Sequence, residues 1–275
     1  MGTRVSGVLF FSGTDEALLA ALATFRFLTI PQAVRLGIGG RENIGERLGR
    51  LRNAGYVGAL GNSPLHGPRV HWLTKRGAEA ASELLPPRAP LNVPSRAYRG
   101  GAHLRARVGI VDCHIALVLW ARQAGYVLDS ARTEFSRNPE TLSPATTLAA
   151  GEGTYTPDAI FQLSAPDGRR RLLVLELERG GFSGSPDHFR AMMAGRAEVI
   201  RTFAVEKALD WPQAHGAARF LFVFAKPEML ATATRHLPEA GAPFWRSVYF
   251  KALPDVVSNF AAGWNLADGS VSGLF

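Results

Sequence analysis

The chain has 275 residues, 47% hydrophobic and 20% charged, with a formal net charge of +8. That is enough for one large or two ordinary domains, while no apolar run approaches the roughly 20 residues of a membrane-spanning helix, and the single cysteine, Cys113, excludes an internal disulfide framework. The charge is local: residues 1–100 hold 13 Lys and Arg against 6 Asp and Glu, residues 101–275 hold 18 against 17, so a basic module precedes a near-neutral one, as expected of a nucleic-acid-binding domain joined to a second domain.

The opening VSGVLFFSG is too short for a secretory apolar core and lacks a cleavage site, so a cytoplasmic protein without membrane partners is expected. TDEALLAALATFRFLT predicts a first helix capped by Thr14, with Asp15 and Glu16 in its first turn and Leu18, Leu22 and Phe25 on one face. TIPQAVRLGI predicts a short second helix from a Thr29 cap to Gly37. In RENIGERLGRLRNAGYV a third helix buries Ile44, Leu48 and Leu51 and sets Asn43, Arg47 and Arg50 on an adjacent stripe, ending at Gly55. YVGAL and RVHWLT read as two strands around the tip GNSPLHGP, and TKRGAEAASELL as a closing helix.

Three helices, a two-stranded wing and a further helix match the winged helix-turn-helix arrangement, whose third helix enters the DNA major groove. The run resembles the bacterial winged-helix DNA-binding families, through Leu48, Leu51, Gly55, Tyr56, Val57 and the stretch Trp72 to Gly77. The resemblance implies that Arg41, Asn43, Arg47 and Arg50 contact bases or phosphates of double-stranded DNA, that Arg69, His71 or the tip reach backbone or minor groove, and that Lys75 adds to the set. The alternative for the arginines is a solvated helix face, or a winged helix that binds protein.

The proline-rich LLPPRAPLNVPSRAYRGGAHL marks the domain boundary, giving a winged helix over 1–85, a linker over 86–102 and an α/β domain over 103–275. VGIVDCHIALVLWARQAGY is expected to be a helix with His114 in its apolar stripe, followed by the strand YVLDSARTEF and a loop rich in Thr, Pro, Ala and Gly. DAIFQLS and RRLLVLELE read as a hairpin turning at Asp167-Gly168. A helix over about 186–209, the strand ARFLFVFA, a helix and the strand SVYFKAL complete an α/β sandwich with a mixed sheet, leaving SNFAAGWNLADGSVSGLF as an irregular tail.

Carboxylates replace aliphatics only late in RRLLVLELE. Val174, Glu176 and Glu178 share one face, and Asp158, entering the partner strand after Pro157, falls at the same end, with Glu134 within reach of both. Two such carboxylates suffice to share a divalent cation, and they serve equally as structural ion-pair partners of Arg179, Arg190 or Arg169 to Arg171. Pro157-Asp158 and Glu176-Leu177-Glu178 resemble the PD-(D/E)XK nuclease core, which implies Mg²⁺ on Asp158 and Glu176. Glu178 stands where that fold has its lysine, leaving Arg190 or Arg196 from the next helix as the cation.

The whole arrangement, with VDCHIALVLWARQAGY, PDAIFQL and RRRLLVLELERGG, resembles the replication-relaxation family of plasmid mobilisation accessory proteins over about residues 15–225. That resemblance implies a DNA-binding accessory factor of a mobile genetic element, acting in a relaxosome or in replication with a relaxase or replication protein, its nuclease-like domain degenerate. The alternatives are a Mg²⁺-dependent DNA endonuclease using Asp158 and Glu176, and a transcriptional repressor whose second domain dimerises or senses, making a homodimer.

Overall fold

The computed structural model describes residues 11–61, 68–84, 101–136, 143–150, 153–179, 218–236 and 246–275, with isolated positions between 138 and 141 and between 193 and 211. They form two compact units, 1–111 and 112–275.

The N-terminal unit starts with α1 (Gly13–Phe25), which buries Leu18, Leu22 and Phe25. Its cap is Ser12 rather than Thr14, because Asp15 at the third helical position reciprocates: its carboxylate accepts the Ser12 N–H at 2.8 Å while Ser12 Oγ accepts the Asp15 N–H. β1 (Leu28–Thr29) leads into α2 (Ile30–Arg35), where Thr29 and Gln32 form a second capping box. α3 (Arg41–Asn53) buries Ile44, Leu48 and Leu51, as the spacing predicts, and stops at Gly55, whose φ of 81° no β-carbon residue adopts cheaply. β2 (Val57–Leu60) and β3 (Val70–Leu73) are antiparallel, and β3 is central in a three-stranded sheet of order β1-β3-β2. The tip of this hairpin, 62–67, lies outside the described residues.

α4 (Lys75–Ser82), capped by Thr74, packs so tightly on the turn after α3 that a Cβ at Gly77 would stand 1.9 Å from the Tyr56 carbonyl oxygen. Arg76 reinforces that contact, donating to the Ala54 carbonyl at 2.9 Å with its guanidinium 4.4 Å from the Tyr56 ring centre. Gly49, inside α3, has open space where a methyl would go. Gly49→Ala is therefore expected to stabilise the unit by about 0.5–1 kcal/mol through the lower entropy of its unfolded chain, read as a raised thermal midpoint.

The boundary between the units falls inside α5 (Gly101–Ala124), not at its start. Gln32 Nε2 donates to the Val108 carbonyl at 3.0 Å and Arg107 stands 5.7 Å from the Phe27 ring, which ties the first turns of α5 to the N-terminal unit. Of the expected linker, 86–100 lies outside the described residues.

The C-terminal unit contains β4 (Val127–Thr133), β5 (Leu148–Ala150), β6 (Gly153–Tyr155), β7 (Ala159–Ser164), β8 (Arg170–Glu178), β9 (Arg219–Phe224), α6 (Pro227–His236), β10 (Val248–Ala252), α7 (Leu253–Ser258), β11 (Trp264–Asn265) and β12 (Val271–Ser272). Seven strands make one mixed sheet of order β12-β11-β10-β9-β8-β7-β4, with β8, β9 and β10 parallel and the other pairs antiparallel. Two expectations are corrected. β5 and β6 form a hairpin within the expected loop, and the expected tail contributes β11 and β12 to the sheet, with α7 just ahead of it. Strands of two or three residues are too short to show an alternating pattern, so their pairing is fixed by tertiary contacts: Trp264, fully buried, donates its indole N–H to the Phe260 carbonyl at 2.7 Å.

On one face of the sheet Ile160, Val174, Phe220, Phe222 and Phe250 pack with the helical residues Val199 and Ile200. On the other, His114 of α5 lies 5.0 Å from the Phe161 ring. Burial pushes the His114 pKa down to about 4, so it is a neutral core residue, as its place in an apolar stripe suggested. No helix among the described residues is long and apolar enough to cross a membrane.

Candidate functional site

In the N-terminal unit the candidate surface is α3 and the strand pair behind it. With Ile44, Leu48 and Leu51 inward, the helical period sends Glu42, Glu46, Gly49 and Asn53 directly outward and puts the basic residues on two flanks. Asn43, Arg47 and Arg50 form one flank, where Arg47 Nε donates to Asn43 Oδ1 at 3.4 Å. The buried carboxylate of Asp15 engages both arginines, Arg50 through a direct hydrogen-bonded ion pair and Arg47 at 3.6 Å. Arg50 thus ties α3 to the start of α1.

The other flank is Arg41 and Arg52, three turns apart and both exposed. Arg52 was not among the expected contacts, although its eleven-residue spacing from Arg41 was the available signal. Asn43 and Lys75 are exposed and Arg69 is half-buried. His71 is corrected: it is buried, and its Nδ1 lies 3.2 Å from the Leu28 carbonyl oxygen, so it fastens β1 to β3 and cannot reach out to DNA. Burial, helped by the charges of Arg69 and Arg52, lowers its pKa to about 4, which leaves the ring neutral.

In the C-terminal unit the expected acids do come together. Ala159 pairs with Leu175, so Asp158, one residue ahead of β7, continues the ladder towards Glu176. The Asp158 carboxylate accepts the Leu177 N–H at 2.6 Å, and its carbonyl accepts the Glu134 N–H at 2.9 Å. Burial first, then the charge of Glu176 and more weakly that of Glu134, raises the Asp158 pKa to about 7 against the Leu177 hydrogen bond. Glu176 accepts from the Tyr155 hydroxyl at 2.7 Å, and its Oε1 is ion-paired with Arg196 Nε at 2.8 Å. Burial outweighs those partners and moves the Glu176 pKa upward, with Glu178 on the same face adding to the rise. Tyr155 is pushed well above the usual phenol range by burial and by Glu176.

Tyr155 is the residue that sequence reasoning missed, because it sits on β6 inside the expected loop. Its one signal was its position two residues ahead of Pro157-Asp158. The guanidinium of Arg196 also lies 4.8 Å from the Tyr155 ring centre, so a cation, a phenol and two acids form one cluster. Arg190, the other cation expected here, lies outside the described residues.

Among the described residues no group of three or more His, Cys, Asp or Glu is arranged to hold a metal ion. The donor chemistry explains why. Glu176 Oε1 is taken by Arg196 and by the Tyr155 hydroxyl, so a divalent cation would have to compete with a guanidinium for that carboxylate. These side chains do not fit Mg²⁺: the negative charge of the pair is already balanced by a fixed guanidinium, which stays protonated and cannot act as a base. Comparison of the chain with protein-family models, with curated proteins and with solved structures finds no match in any of the three.

Proposed function

We propose that the protein is a DNA-binding accessory factor of a mobile genetic element, in which the N-terminal unit is a winged helix that holds duplex DNA and the C-terminal unit is a non-cleaving PD-(D/E)XK-like domain that recruits other factors. The observation that carries the DNA-binding half is the concentration of positive charge on the unit that combines α1 to α4 with a β1-β3-β2 sheet, with Arg41 and Arg52 on an exposed stripe of its third helix. For the second half, α5 followed by the antiparallel β4, β7 and β8, helical residues near 193–200 and the parallel β9 is the order that the nuclease-like fold requires. Glu178 and the Arg196-neutralised Glu176 argue against cleavage. The relaxosome or replication setting rests on the sequence resemblance.

Two measurements test this reading. Arg41→Ala combined with Arg52→Ala is expected to weaken duplex binding and to flatten the plot of log affinity against log salt by about two, one for each phosphate no longer neutralised. An unchanged salt slope would overturn the choice of flank. Supercoiled DNA incubated with the protein and Mg²⁺ or Mn²⁺ is expected to stay uncut, and metal-dependent nicking abolished by Asp158→Ala would establish the endonuclease instead.

A further inference from the structure

The end of the sheet remote from Asp158 combines positive charge with aromatic rings, and the proposed function does not use it. β8 and β9 are parallel, so Arg171 near the start of one and Arg219 at the start of the other lie at the same end. Leu173 registers with Arg219, and side chains alternate along a strand, so Arg171 and Arg219 share the face of Leu173.

Arg219 lies among rings, 6.0 Å from the centre of Tyr249 and 5.6 Å from that of Phe275. Phe275 in turn stacks on Trp120, with centroids 4.3 Å apart and planes at 16°, and lies 4.9 Å from Tyr126. The stack is accessible: Phe275 is 39% exposed, and Trp120 and Tyr126 are half-buried.

Two features of Arg219 call for an anion. Its Nη1 is buried with no hydrogen-bond partner among the described residues, a cost that a phosphate oxygen would remove. Burial, and less strongly the charge of Arg171, also pull its pKa below the ordinary arginine range against the opposing interaction and hydrogen bond with Tyr249, so a second cation acts on the same site.

We propose that this face binds single-stranded nucleic acid, its phosphodiester oxygens held by Arg171 and Arg219 and a base stacked on the exposed side of the Phe275–Trp120 pair. Guanidinium groups alone would attract any polyanion. A duplex keeps its bases stacked inside and cannot use the rings, and an acidic peptide has nothing to stack. The surface lies on the C-terminal unit and stands on observations independent of the winged-helix reading.

The test is fluorescence anisotropy with the full chain, using a labelled oligothymidylate of about 15 nucleotides, a labelled mixed-sequence duplex and polyglutamate as competitor. Arg171→Ala, and Phe275→Leu, which keeps an apolar cover but removes the ring, are each expected to lower oligothymidylate affinity roughly tenfold and leave duplex affinity unchanged. Arg41→Ala with Arg52→Ala is expected to do the reverse, so failure of this proposal and failure of the duplex-binding reading give different patterns. Oligothymidylate binding unaltered in both Arg171→Ala and Phe275→Leu overturns the proposal. So does polyglutamate competing as well as unlabelled oligothymidylate.

Discussion

Asp158→Asn is expected to stabilise the C-terminal unit at about pH 8 by about 2–4 kcal/mol, and to leave its stability nearly unchanged at about pH 4. The sign follows from the direction in which the pKa moves. In the unfolded chain an aspartate titrates near 3.8, whereas in the fold Asp158 titrates at about 7. Between those values the folded state binds the extra proton, so the contribution of this group to stability is fully present below the lower value and is lost as pH rises to the upper one. The interval between the two values sets a ceiling of about 4 kcal/mol, since each tenfold change in proton affinity is worth about 1.4 kcal/mol. Asparagine keeps an oxygen for the Leu177 N–H and never charges, so it escapes the loss. Urea unfolding of both proteins across this range is the measurement; a constant difference between them would show that Asp158 does not titrate as its surroundings dictate. Glu176 is shifted in the same direction, so the wild-type chain loses stability on both accounts as the pH rises.

Much of this arrangement was legible in the residues because local rules decide it. The 3.6-residue period of Ile44, Leu48 and Leu51 sets the inward face of α3, and the Asp167-Gly168 pair fixes the β7–β8 turn, where Gly168 has φ 79°. Alternation along RRLLVLELE brings Glu176 to the face on which Asp158 meets it. What escaped depends on partners distant in sequence. Asp15 looked like a carboxylate stabilising the dipole of its own helix, and nothing local announces that Arg50, 35 residues later, is its partner. His71 alternates out of an apolar pattern as if exposed, yet β1 covers it from 43 residues away. Tyr155 is invisible for the same reason: a three-residue strand carries no period, and its role appears only when β6 delivers its hydroxyl to Glu176.

The pairing of Asp15 with Arg50 carries the second large effect, and it changes how variants that test the proposed DNA binding must be read. Arg50→Ala is expected to cost about 2–3 kcal/mol in the N-terminal unit, because it strands a carboxylate with no exposed surface whose Oδ1 already lacks a hydrogen-bond partner among the described residues. Arg47 remains 3.6 Å away and the Arg50 side chain is itself 40% exposed, which keeps the destabilisation below the full cost of breaking a buried pair. Adding Asp15→Asn removes the stranded charge and preserves an oxygen for the Ser12 cap, so the double variant is expected to regain most of the stability in thermal unfolding. Its net charge equals that of the wild type. If Arg50 acts through the fold, duplex DNA binding is weak in Arg50→Ala near its unfolding midpoint and restored in the double variant, leaving Arg41 and Arg52 as the residues that hold phosphate. A stable double variant that still fails to bind would return Arg50 to the DNA, with Asp15 then serving to aim its guanidinium from the side of α3 that faces α1.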